Sequence, residues 1–316
     1  MKIRMTRMAL FLTLTLTAAL PSLAALYYWN GVRYVSSSFD ENAGYGAWSN
    51  LSNWSTESEG GAPATTLPGS SDTIYGLVKD TWRQFDLEGG EWSIYGWQTV
   101  GDWDRHNWRF RNGTLHWVGG KTPSDPYNGQ NCTHSDTIHL DDGASFIMDA
   151  GSYYCASFNH GATDEWRIHS DATLSMLGEL QIYKVNAHVD DGGVMVFAPS
   201  PLYFYSGTAQ RSYLQNSGTL AITNGISFTK GASNGTFEIN QVAGTLMLGG
   251  VMTKNGQNGT YRMSLSGGTV RITSDFSTDF DTSVSGTVTF EADDGAAIDA
   301  NGFSYAVGTI VTKTGD

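Results

Sequence analysis

Three of the seven histidines share a context in which an apolar residue precedes and an aspartate follows two residues later: His139 with Asp141, His169 with Asp171, and His188 with Asp190. In an extended strand residues i and i+2 project from one face, so each pair places imidazole and carboxylate side by side. Stacked strands would join the pairs into a ladder able to take a transition metal, or calcium through the Asp141-Asp142 and Asp190-Asp191 pairs. A structural reading competes with that one. Asp-Asp-Gly is ordinary turn chemistry, and Asp293-Asp294-Gly295 repeats it without a histidine. The spacings of 30 and 19 residues between the histidines are uneven, which makes a metal geometry hard to hold. The structural reading is preferred, and no cofactor is expected beyond a weak case for calcium.

Two further groups could do chemistry. Asp141, Asp142 and His160 in Asn159-His160-Gly161 are faintly similar to a polygalacturonase arrangement, and hydrolysis of that kind needs a carboxylate acid and base flanking the bond. The flanking residues fit that family poorly, so Asp141, Asp142 and His160 are the sites of an alternative reading only. Nine of the ten tryptophans lie between Trp29 and Trp117. Trp103, Trp108 and Trp117, beside Asp104, Arg105 and Asn107, suggest a glycan-stacking surface. Trp is usually well buried, so a core-shielding cap is the preferred reading.

These residues need elements to hold them, and repetition shows which. A small residue, often a Thr or Ser, and an apolar residue recur as Ala144-Ser145-Phe146, Ala172-Thr173-Leu174, Gly193-Val194-Met195, Gly218-Thr219-Leu220, Gly244-Thr245-Leu246 and Gly268-Thr269-Val270. A second series, Gly235-Thr236-Phe237 and Gly259-Thr260-Tyr261, precedes its partner by 9 residues each time. Two series sharing one period mean two strands per repeat. The expected fold is therefore all-β: a right-handed parallel β-helix, or solenoid, with a period near 25 residues and a Trp-rich N-terminal cap. Residues 25–105 are assigned to the cap and first irregular coils and 106–316 to the solenoid. Coiling is expected to begin inside the cap, where Thr73-Ile74-Tyr75-Gly76 and Ser93-Ile94-Tyr95-Gly96 recur 20 residues apart. Cys132 and Cys155, about one coil apart, are expected to form a disulfide.

Residues 1–24 read as a signal peptide: Lys2, Arg4 and Arg7 precede an apolar run, and Ser22-Leu23-Ala24 offers a cleavage site. No later stretch is apolar enough for a membrane span. Without Lys2, Arg4 and Arg7 the chain keeps 15 basic against 31 acidic residues, a net charge of −16, which argues against nucleic acid as a partner. Location is expected to be extracellular or at the cell surface, the periplasm being the third exported compartment.

The opening Tyr28-Trp29-Asn30-Gly31, then Trp48-Ser49-Asn50-Leu51-Ser52-Asn53-Trp54-Ser55, Ala62-Pro63 and Ser71-Asp72-Thr73, resembles bacterial passenger-type proteins with autotransporter-associated β-strand repeats. The stretch from Ala297 to Gly315 is similar to one such repeat. The resemblance implies an exported β-helix, adhesive or structural, and it extends to the passenger alone, with no C-terminal translocator barrel expected. The reading is an exported surface or extracellular structural module, adhesin-like and with extracellular glycans or cell-surface components as partners. An enzyme is the less favoured reading: a polysaccharide lyase or glycoside hydrolase on a parallel β-helix.

Overall fold

The computed structural model describes residues 25–35, 44–76, 81–99, 105–119, 135–150, 152–155, 164–182, 185–198, 202–205, 211–229, 233–254, 258–293, 303–305 and 310–314. Strands dominate them, arranged as parallel sheets wound into a β-solenoid with a period of about 25 residues.

Each complete coil contributes three strands. Val185–Val189, Val194–Phe197 and Leu202–Tyr205 are one such set. In the first sheet Trp108 lies opposite Ile138, Ile138 opposite Trp166, and Trp166 opposite Ala187. In the second, Ser145, Thr173, Val194, Thr219, Thr245 and Thr269 follow one another in register. This is the phrase that recurs in the sequence. The second series is equally faithful, with Gly235, Thr236 and Phe237 opposite Gly259, Thr260 and Tyr261. The third sheet, made by Ser152–Cys155, Glu179–Ile182, Leu202–Tyr205 and Ile226–Thr229, was not legible: its strands share no repeated phrase.

Alternation builds the interior. Leu174 and Met176, Met195 and Phe197, Leu220 and Ile222, and Leu246 and Leu248 point inward and are buried, while Thr173, Val194, Thr219 and Thr245 between them are partly exposed. A lone coil cannot cover those apolar side chains, and its neighbours do so by stacking. Backbone crowding at the corner between the first and second sheets dictates glycine. A Cβ on Gly244, which has φ +65°, would lie 2.0 Å from the Gly218 carbonyl oxygen of the preceding coil.

Regular coiling starts at Thr81, whose strand Thr81–Ile94 runs parallel to Arg105–Trp117. Before it, Arg33–Val35 runs antiparallel and Gly46–Ala47 parallel along the outer edge of that strand. A separate small sheet joins Trp54–Ser55, Leu26–Trp29, Thr73–Gly76 and Gly96–Thr99. Ile74 lies opposite Trp97 and not Ile94, because Ile94 closes a second-sheet strand while Gly96 opens the next. The cap interior is aromatic: Trp29, Trp48 and Trp54 are buried, with Trp54 4.8 Å from each of the other two and Phe85 4.3 Å from Trp29.

Residues 1–24, where a signal peptide is expected, lie outside the described residues, as do Trp103, Cys132 and His160. The expected disulfide falls there too; Cys155 sits opposite Ile182. No helix among the described residues is long and apolar enough to cross a membrane.

Candidate functional site

The chemistry-bearing side chains gather on the outer face of the first sheet, across the coils nearest the cap. Register sets their order. Gln84, Arg109, His139, Arg167, His188 and Gln215 form one column across successive coils. Two residues further along the strands Asp86, Arg111 and Asp141 form a second. His169 and Asp190 continue that second column, since their amides bond to the Leu140 and Ile168 carbonyls.

Asp141 is the hub. One oxygen accepts from the Tyr45 hydroxyl at 2.6 Å and from the Arg109 Nε, and the other lies 3.1 Å from His169 Nε2. His169 Nδ1 is 3.0 Å from Asp190, which Arg167 also approaches at 3.4 Å. Arg111 bonds Asp86 at 2.7 Å and 3.0 Å. The Tyr45 ring lies 4.2 Å from the Arg111 guanidinium carbon and 5.0 Å from that of Arg109, a cation–π contact with both. Alternating acid and base along the column leaves each charge next to its opposite.

Burial makes this face unusual. His139 is 5% exposed and Asp141 6%, although both project away from the core. The Trp82 ring lies edge-on to His139 at 5.1 Å, and His169 at 6.2 Å. Burial, foremost, pulls the His139 pKa down from its ordinary value to about 3, opposed by Asp141 and assisted by His169, Arg109 and Arg167. The Tyr45 phenol is pushed well above its ordinary pKa by burial and by Asp141, so it remains a hydrogen-bond donor.

The proposed histidine–aspartate pairs are thus partly rearranged. His139 and Asp141 share a face as expected. His169 pairs with Asp141 and Asp190 and not with Asp171, because Ile168 lies opposite Leu140, two residues past the sequence-like Ile138. Asp171 instead occupies a turn with φ +62°, and Asp142 one with φ +44° followed by Gly143 at +71°. These are the left-handed positions of the turn chemistry read from the sequence. His188 lies 6.3 Å from Tyr213. No group of three or more His, Cys, Asp or Glu side chains able to hold a metal ion occurs among the described residues.

Trp108 and Trp117 are 0% exposed and belong to the core, in line with the core-shielding reading, which corrects the alternative that placed them on a glycan-stacking surface. Alternation carried that signal: Trp108 and Phe110, and Leu115 and Trp117, are i and i+2 pairs facing inward. Sequence reasoning also missed Tyr45, Arg109 and Arg111. It missed the Arg83–Glu59 ion pair as well, at 2.5 Å with both side chains buried. The column of two arginines was visible only once the 30-residue register from Arg109 to His139 was known.

Fold and site together define a capped, three-sheet parallel β-solenoid carrying a self-paired polar column near its cap. Comparison with protein-family models, curated proteins and solved structures finds no match.

Proposed function

We propose that the chain is an exported structural scaffold of the cell surface or extracellular space, which adheres to neutral glycans through the outer face of its second sheet. Export rests on the basic, apolar and small-residue order of residues 1–24. The resemblance to passenger-type β-helices supports the same compartment.

One observation carries the adhesive part. The outward column Ser145, Thr173, Val194, Thr219, Thr245 and Thr269 holds no charge. Its neighbours two residues on hold none from Ile147 through Ser175 and Val196 to Met247, and Arg271 is the first charge to follow them. In the first three of the same coils the first sheet presents Asp141, Arg167 and Asp190, and in the coil before them Arg109 and Arg111. Hydroxyls and methyls recurring about every 4.8 Å on a flat face suit a neutral polymer, while the chain's acidity repels anionic polysaccharides.

A lyase or hydrolase reading loses ground on Asp141, whose oxygens accept from Tyr45 and Arg109 and face His169. A general acid or base must be within reach of the proton it moves. The test is a screen of the purified chain on neutral and acidic polysaccharides, scoring retention and released reducing or unsaturated ends. Retention on neutral polymers without product, lost when Thr219 and Thr245 are replaced by Lys, is the expected result. Product release overturns the scaffold reading, and retention that survives both substitutions overturns the assigned face.

A further inference from the structure

The polar cluster around Asp141 ties the cap to coils far along the chain: Tyr45 and Asp141 are 96 residues apart in sequence. Gly46–Ala47, the strand that carries Tyr45 over the sheet, is only two residues long and sits on the sheet edge beside Phe85 and Asp86. Trp82, which covers His139 from the first coil, lies opposite Tyr34 of the cap. Buried Trp48 anchors the inner end of this edge strand and Tyr45 its outer face, and a two-residue edge strand is the kind of segment that opens locally without the rest of the fold.

We propose that this cluster is an acid-sensitive clasp, which holds the Tyr45 segment over the first sheet at neutral pH and releases it as the solution becomes acidic. His139 is the group that makes it so. Its own strand brings Asp141, the preceding coils bring Trp82, Gln84 and Arg109, and the following coil brings Arg167 and His169. Asp141 already serves the Tyr45 hydroxyl, Arg109 and His169. A proton on His139 would add a positive charge in a dry site next to two guanidinium groups. Asp141, two residues along the same strand, opposes it.

The direction follows from proton counting. Closed, His139 stays neutral down to a pKa of about 3; opened to water, it titrates near its ordinary value of about 6.5. Between those two values the open state holds a proton that the closed state lacks. The closed-to-open ratio is therefore flat above pH 6.5, and below it falls about tenfold per pH unit. Tyr45 contributes no pH dependence of its own in this range, since its phenol is shifted upward.

Hydrogen exchange read by mass spectrometry on the full chain tests this, with intrinsic exchange rates corrected between pH 7.5 and 4.5. Peptides covering residues 44–55 should lose protection about tenfold per pH unit below about 6.5, while peptides covering 236–272 keep theirs. His139→Phe should flatten the dependence, and His139→Gln serves if the first variant fails to fold. Tyr45→Phe should lower protection of residues 44–55 at every pH and leave the slope unchanged. Protection that is constant down to pH 4.5 overturns the clasp. An unchanged slope in both His139 variants, or parallel loss in residues 236–272, does the same. The first result shows no acid opening, the second a different titrating group, and the third acid unfolding of the whole solenoid.

Discussion

Asp141 accepts hydrogen bonds from Tyr45 and Arg109 while only 6% exposed, so its charge matters more than an exposed carboxylate's would. Asp141→Asn keeps the shape and leaves Arg109, 8% exposed, without its carboxylate partner. Breaking a buried pair from one side costs about 3–5 kcal/mol, and urea denaturation at pH 7 should register a loss of that order. A loss near zero would mean that the cluster is already hydrated. Trp108→Ala is expected to lower stability by about 3–5 kcal/mol through the cavity it leaves. Thr219→Lys, on the partly exposed face, should change stability by less than about 0.5 kcal/mol. The same pair of variants separates core from surface in a retention assay: only the Thr219 change should reduce glycan retention while the fold stays intact.

At the scale of strands and turns, the stacked corner is less tolerant than the strands beside it. Gly218, Gly244 and Gly268 succeed one another along the solenoid. A Cβ on each would meet backbone oxygen of the neighbouring coil at 2.3, 2.0 and 2.3 Å. Gly244 also needs a positive φ. Gly244→Ala should therefore destabilise by about 2–4 kcal/mol, read as a lower denaturation midpoint. Gly44→Ala is the control, for a Cβ there meets nothing within 4 Å. Equal effects of the two would show that coil spacing adapts freely at the corner. Buried amides brace the same corner: Asn216 Nδ2 donates to Gln241 Oε1 at 2.6 Å and to the Thr245 carbonyl at 2.9 Å. Such bonds link successive coils where the backbone leaves the sheet.

Across the whole molecule each coil depends on its neighbours, which makes the coil a removable unit. Deleting residues 219–244 excises one strand from each sheet and brings Gly218 directly to Thr245, which already occupies the position of Thr219 one coil on. The shortened chain should fold with an unchanged far-ultraviolet spectrum and a long dimension smaller by about 5 Å in X-ray scattering. Deleting half that length should abolish folding, because a one-strand slip puts the wrong faces inward. The sequence by itself determined the all-β class, the period, the register of the second sheet and that of the first sheet between Gly235 and Gly259. Those depend on short phrases that every coil must repeat in order to stack, as Thr219, Thr245 and Thr269 do. It also held the inward direction of Trp108 and Trp117, in their alternation with Phe110 and Leu115 and in the usual burial of tryptophan. The third sheet, the pairing of His169 with Asp141, and the covering of His139 by Trp82 were decided only in three dimensions. Their coil lengths vary from one turn to the next, and the Tyr45 contact joins residues 96 positions apart. Local periodicity constrains what each coil must bury; which side chain from a distant segment then covers an outer face is set by the tertiary packing of the cap.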